Sequence, residues 1–397
     1  MMRSTVRAHV ITGVSALVLA AGLGACSGEG SGDPEGYAEP TRLVADASTP
    51  FAQEGQDYTV SGKVLGRLGD RSAAFAGWTE DGTEIYQRFP GRFDISKRPG
   101  DSDPRQAALM ARDPATGKTR VLSDRPRTAR PAPPLVHDLG YSATTIDGNR
   151  VLWVETYDIS LGDLYVHDLE TGRETLLVSA KGAGKSNPPW PTGLVDPVVR
   201  GETVYFVGYT EATVNEVRGA RGRTSVFAVP IDGSGEPTEI VPGATDLFAG
   251  PDGLLEVVLA NRLVRWDPAK GPDGEVDESN LPGPELYANE SGVRMSHSED
   301  GKPILIESPK YGRFQITVGN AGSVYLTASD RWAAFSILLE GGTQAFLLDM
   351  ARGELRRIKD VQFVWHGRPA TPETYIARPQ YEITPKTFDV LELVPAD

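Results

Sequence analysis

Few residues of this chain stand at spacings that do chemistry. Of five histidines, His9 lies close to the start. His137, His167, His297 and His366 show no spacing that would set two imidazoles on one metal ion. His167 alternates within an apolar run and reads as an ordinary strand residue. No Gly-x-Ser-x-Gly elbow offers a serine nucleophile, and no glycine-rich loop follows a strand to cradle phosphate. In Asp273-Gly-Glu275-Val-Asp277-Glu278, the carboxylates of Asp273, Glu275 and Asp277 alternate and could hold Ca²⁺. The glycine of an EF-hand loop is not in its place there, and a solvated acidic loop is the simpler expectation. No other cofactor is expected, and no residue is assigned a catalytic role.

Guanidinium groups offer a different chemistry, the binding of anions. Four long insertions, at 87–106, 124–141, 180–193 and 209–224, together hold 13 Lys/Arg against 7 Asp/Glu, a balance of +6 in a chain whose net charge is −14. Arg88, Arg92, Arg98, Arg125, Arg127, Arg130, Lys181, Lys185, Arg218, Arg221 and Arg223 supply most of it. His137 lies among them, and Phe93, Tyr141 and Trp190 are expected to add aromatic surface. Such a patch on an acidic protein attracts an anionic partner: a wall polymer, a lipid headgroup, an anionic metabolite or an acidic protein surface. The alternative is that solvated loops simply tolerate arginine.

The N-terminus says where this chemistry takes place. Arg3 and Arg7 precede an apolar run from Val10 to Ala20, and small residues lead to Cys26, the one cysteine of the chain. This is the pattern of a secretory signal, too short for a comfortable membrane span, and no internal disulfide can form. The residues Leu23-Gly24-Ala25-Cys26 resemble the bacterial lipobox, whose cysteine becomes the lipidated first residue of the mature protein. The resemblance implies a lipoprotein held to the membrane through Cys26 on the extracytoplasmic side. An ordinary cleaved signal is the alternative. Residues 27–50, rich in Gly, Ser, Pro and acidic side chains, then read as a flexible tether, with a single domain over 51–397.

The insertions must be held by short strands, because apolar runs bounded by Asp/Gly turns recur along the whole chain. The clearest unit runs from Asp147 to Leu177: a turn at Asp147-Gly148, a strand apolar on both faces (Val151–Val154), a second strand to His167, and a reversal at Asp168-Leu-Glu-Thr-Gly172. The Asp-x-x-x-Gly turn appears at Asp113/Gly117, Asp168/Gly172, Asp267/Gly271 and Asp349/Gly353. Weaker copies stand at Asp232–Gly235 and Ser308–Gly312, and successive copies are 55, 64, 35, 41 and 41 residues apart. Periods near 40–50 residues with four strands each mark a β-propeller.

The unit also resembles the TolB-type propeller repeat, on Asp147, Gly148, Val151, Trp153, Asp163, Leu164, Tyr165, Asp168, Gly172 and Leu177, and in part on Trp332, Phe335, Asp349 and Gly353. The resemblance implies the fold and says nothing of partners. The expected architecture is all-β: four-stranded antiparallel blades, seven in number, with six and eight as alternatives. A strand near Tyr58–Leu65 is expected to pair with C-terminal strands and close the ring. Trp78, Trp153 and Trp332 are assigned to second strands and to the core between blades.

In such blades the first-to-second and third-to-fourth turns share one face, and the remaining loops share the other. The short Asp/Gly turns, among them Arg200-Gly201, Asp252-Gly253 and Asp300-Gly301, fall to the first face and the four long insertions to the second. Function concentrates on long loops held by a rigid scaffold. The expectation is a monomeric, non-enzymatic lipoprotein that binds a protein or an anionic envelope component through its elaborated face. An extracytoplasmic hydrolase or lyase with its site at the channel mouth is the alternative, and a structural spacer a third. Nucleic acid is not expected for an exported, acidic protein.

Overall fold

The structure is a computed structural model. It describes residues 39–69, 73–88, 108–124, 141–156, 161–180, 189–215, 219–282, 285–297, 303–319, 324–339, 342–358, 363–365, 375–378 and 387–395. All of these belong to one compact unit, Ala38–Asp397.

Two N-terminal strands, β1 (Thr41–Ala45) and β2 (Tyr58–Gly69), precede seven sheets among the described residues. The first sheet is β3–β6 (Ala73–Trp78, Glu84–Arg88, Ala108–Arg112, Thr119–Ser123) and the second β7–β10 (Tyr141–Asp147, Arg150–Thr156, Gly162–Asp168, Glu174–Val178). The third is β11–β15 (Trp190–Pro191, Val198–Arg200, Thr203–Asn215, Gly219–Pro230, Thr238–Pro242). The fourth is β16–β19 (Asp246–Ala249, Leu255–Leu259, Arg262–Trp266, Glu275–Pro282). The fifth holds β20–β23 (Glu285–Ala288, Arg294–His297, Ile304–Ser308, Gly312–Val318) and the sixth β24–β27 (Val324–Ala328, Trp332–Leu339, Gly342–Asp349, Glu354–Ile358). The seventh holds β28–β30 (Phe363–Trp365, Tyr375–Arg378, Thr387–Pro395).

Within each sheet, neighbours in sequence pair antiparallel, except that β11 and β12 both pair with β13. Two additions depart from this meander. β2 pairs antiparallel with β30, so the N-terminal strand expected to close the fold does join the C-terminal ones. β1 adds parallel to β23, with Thr41 opposite Phe314 and Ala45 opposite Val318. The stretch expected as a free tether over 27–50 therefore includes a strand.

Strands such as β8 and β13 are apolar on both faces because their sheets lie between two others. In β8, Val151 and Trp153 pack toward Ile85, Leu109 and Ala111 of the first sheet, while Leu152 and Val154 pack toward Phe206 and Val204 of the third. β13 repeats the arrangement, with Val204 and Phe206 facing the second sheet and Tyr205 and Val207 the fourth. The core is thus a series of slabs between sheets. Aromatic pairs such as Trp153–Tyr165 and Phe335–Phe346, with centroids 5.7 and 5.3 Å apart, fill them. Trp78, Trp153 and Trp332 are all buried as expected. Trp78 ends β3, however, and so lies on a first strand rather than a second.

Candidate functional site

All six turns singled out in the sequence join a third strand to a fourth. In five of them the Asp carboxylate accepts from backbone N–H groups of the turn: Asp232 in a weaker copy, and Asp113, Asp168, Asp267 and Asp349 in the Asp-x-x-x-Gly copies. The closing glycine takes positive φ, 67° at Gly117 and 69° at Gly172, which L side chains avoid. Asp147-Gly148, Arg200-Gly201 and Asp252-Gly253 are first-to-second turns on that same face. Asp300-Gly301 is not a first-to-second turn: it falls between β21 and β22, the second and third strands of its sheet, and lies outside the described residues. The true first-to-second turn of the fifth sheet is built on Asn289, whose Oδ1 accepts from Ser291 N and Val293 N. Asn does there what Asp does elsewhere, and a search for Asp-Gly passes over it.

The described ends of the four insertions share one face, since 87–106 and 209–224 join second to third strands and 124–141 and 180–193 join consecutive sheets. Of the candidate residues, Arg92, Arg125, Arg127, Arg130, His137, Lys185 and Arg218 lie outside the described residues. Arg88 ends β4, Tyr141 opens β7, Arg221 sits in β14, and Arg223 is exposed.

Two expectations for this face need correction. Trp190 is not surface: it is 6% exposed and packs with Leu161, Ala180 and Tyr209, because β11 pairs Trp190 with Tyr209. The insertion 209–224 is not an irregular loop but the far end of the β13–β14 hairpin, paired through Asn215–Gly219. Alternating Thr/Val residues in β13 carried that signal, and Gly219 and Gly222 in the return strand masked it. The acidic run at 273–278 is likewise a strand from Glu275 onward, with Asp277 opposite Arg265. Among the described residues no group of three His, Cys, Asp or Glu is placed to hold a metal, so Asp273, Glu275 and Asp277 do not assemble one there.

At the same ends of the strands lie polar groups that sequence reasoning missed. Glu155 and Asp163 are opposite one another on β8 and β9, and both are buried. Asp163 accepts from Ser179 Oγ (2.7 Å) and Ala180 N (2.8 Å). Closer to the axis, β11 and β12 both pair with β13 along the edge away from β15, and residues 193–196 bulge out between them. Leu194 there is 67% exposed, and Asp196 is exposed too. Thr145 of β7 donates to Pro197 O at 2.6 Å and steadies the bulge. Asp246 opens β16 on the neighbouring sheet. Burial pushes its carboxyl up to about 6, with the charge of Asp196 adding to the effect. The run Thr192-Gly-Leu-Val-Asp-Pro197 was the available signal, a Gly and an Asp-Pro interrupting an apolar strand.

On the opposite face one arginine links three sheets. Arg200, at the end of β12, donates to Glu290 Oε1 (2.6 Å) in the fifth sheet and to Gly250 O (2.7 Å) in the fourth.

No family model matches the chain, and no curated protein does. Solved structures do. The chain is similar to puromycin hydrolase at 15% identity and a TM-score of 0.50, over 87% of this chain and 55% of that one. It is similar to Ycf48 bound to a D1 peptide at 11% identity and a TM-score of 0.51, over 87% and 98%. The fold is a β-propeller. A prolyl endopeptidase matches at 12% identity and a TM-score of 0.50, over 84% of this chain and 51% of that one. At these identities the likeness is one of fold alone. This propeller spans about half the length of puromycin hydrolase.

Proposed function

We propose that this propeller is a binding module rather than an enzyme. It is exported, held to the membrane by lipid on Cys26, and recognises a protein or an anionic envelope component through its elaborated face. One observation carries the reading: tight Asp/Gly turns trim one face, while the four insertions, with a balance of +6, emerge on the other. Guanidinium groups bind carboxylate and phosphate with two parallel hydrogen bonds, so such a face favours anions over neutral ligands. Ycf48, whose fold this chain shares, is captured with a bound peptide.

Charge reversal at Arg125, Arg127, Arg130 and Arg221, read by crosslinking in cells, tests it. Loss of the crosslinked partner is expected; an unchanged partner set would sink the reading. Palmitate labelling lost in Cys26→Ser tests the anchor separately.

The bulge supports a second reading, an enzyme of the channel mouth. Asp246, held near 6 beside Asp196, has the poise of a general acid or base. That reading needs a substrate whose turnover Asp246→Asn abolishes.

A further inference from the structure

The direction of β1 fixes where the chain enters the propeller. β1 runs parallel to β23, the fourth strand of its sheet, so Thr41 stands at the end of β23 that opens from the Ser308–Gly312 turn, and Ala45 at the other end. Thr41 Cγ2 also lies 4.0 Å from where a Cβ on Gly353 would stand. Gly353 closes the third-to-fourth turn of the sixth sheet. Two turns of the trimmed face therefore flank the point of entry.

The entry is held there. Five residue pairs tie β1 to β23. Beyond it Asp46 Oδ1 accepts from Ser48 N and Thr49 N, and Arg357 N donates to Pro50 O while Ala52 N donates to Arg357 O.

Fourteen residues, 27–40, separate Cys26 from Thr41. A chain of that length spans at most about 50 Å, and only when drawn straight. The insertions leave from the opposite ends of the strands. β13, 13 residues from Thr203 at its trimmed end to Asn215, is about 40 Å long. Laying the insertion face on the bilayer would lift Thr41 by about that height and leave the connecting chain almost straight, which costs conformational entropy. With the trimmed face toward the bilayer, the same chain has reach to spare. The cationic insertions pull the other way over an anionic leaflet, but that pull is felt only within roughly 8 Å of the headgroups at physiological salt.

We infer that the propeller stands with its trimmed face toward the membrane and its insertions pointing away from it. The anionic partner of the insertions is then met on the far side, and the headgroups of the leaflet that holds the anchor are not that partner. The inference rests on the lipid-anchored reading and narrows its choice of partner.

Cys26 is the one cysteine of the chain, so in the lipidated protein an introduced cysteine is the single free thiol. Thr171→Cys, on the trimmed turn of the second sheet, and Leu194→Cys, on the bulge at the opposite end, both replace exposed residues. Each full-length lipidated variant is labelled with a donor dye and seated in vesicles of phosphatidylcholine and phosphatidylglycerol that carry a headgroup acceptor. Unchanged thermal midpoints show that the labels leave the fold intact. Energy transfer from position 171 is expected to exceed that from position 194 at least twofold. Equal transfer means that the ring turns freely about its anchor, and greater transfer from 194 means that the insertions lie on the headgroups; either overturns the inference. If the parent takes up palmitate at Cys26 and the ranking is reversed, the anchor stands and the orientation alone falls. A parent that takes up no palmitate sinks the anchored reading, and the inference with it.

Discussion

The guanidinium of Arg294 faces the carboxylate of Glu256 across the boundary between the fourth and fifth sheets. Its Nε lies 3.1 Å from both carboxylate oxygens, and its Nη2 lies 2.9 Å from Oε2. Arg265, from the strand beside Glu256, adds Nε at 3.0 Å and Nη2 at 2.9 Å to Oε1. Glu256 is 0% exposed, so two cations from different sheets converge on one buried anion.

Removing that anion strands buried positive charge. Glu256→Ala is expected to cost about 3–5 kcal/mol, while pairing it with Arg294→Met recovers a large part, because a buried charge without its partner costs more than no charge at all. Urea denaturation of both variants checks this. A loss below about 1 kcal/mol in the single variant means that water reaches the site.

Arg357 fastens the N-terminal segment to the sixth sheet. Its Nε donates to Thr49 O at 2.7 Å, and its guanidinium sits 4.1 Å from the centroid of Phe51. Arg357→Ala removes a charged hydrogen bond and a cation–π contact, together roughly 2–3 kcal/mol of local stability. The backbone bonds of Arg357 to Pro50 and Ala52 remain. Hydrogen exchange within Thr41–Asp57 should therefore accelerate more than tenfold while the global midpoint stays put. Uniform acceleration across the fold means that the segment is integral to the core.

Trp190 separates a core role from a surface one. Its ring fills space between Leu161, Ala180 and Tyr209, so Trp190→Ala should destabilise by about 3–5 kcal/mol. A surface aromatic would move stability by no more than about 0.5 kcal/mol. The urea midpoint decides between them.

The legible parts of this chain were those written in local chemistry. Asp168 and Gly172 specify a turn by themselves, since one supplies the hydrogen-bond acceptor and the other the backbone freedom. Val151 to Val154 show by composition that both faces of β8 are covered. What stayed hidden depends on who sits opposite. Trp190 looks like a loop residue until β11 pairs it with Tyr209. Asp246 looks like any turn aspartate until Asp196, fifty residues earlier, is brought beside it from another sheet. The β1 addition was illegible for a similar reason: a parallel edge strand has no hairpin to announce it, and Thr41–Ala45 carries no alternation that singles out β23.

Glu84 makes stability depend on pH. It is buried at the start of β4, its Oε1 meets no partner, and Arg112 Nη1 lies 3.5 Å from Oε2. Burial, only partly offset by Arg112, pushes its carboxyl from 4.5 up to about 7. The unfolded chain ionises near 4.5, so between pH 4.5 and 7 the unfolded state gives up its proton first. The folded state therefore loses relative stability as pH rises through that window, by at most about 3 kcal/mol, and the loss is constant above it. Glu84→Gln carries no proton to release. The variant should match the parent near pH 4.5 and exceed it progressively up to pH 8, as read from urea midpoints along a pH series. Two curves that stay parallel across the window mean that Glu84 is already ionised in the folded protein, with water or Arg112 meeting its charge in full.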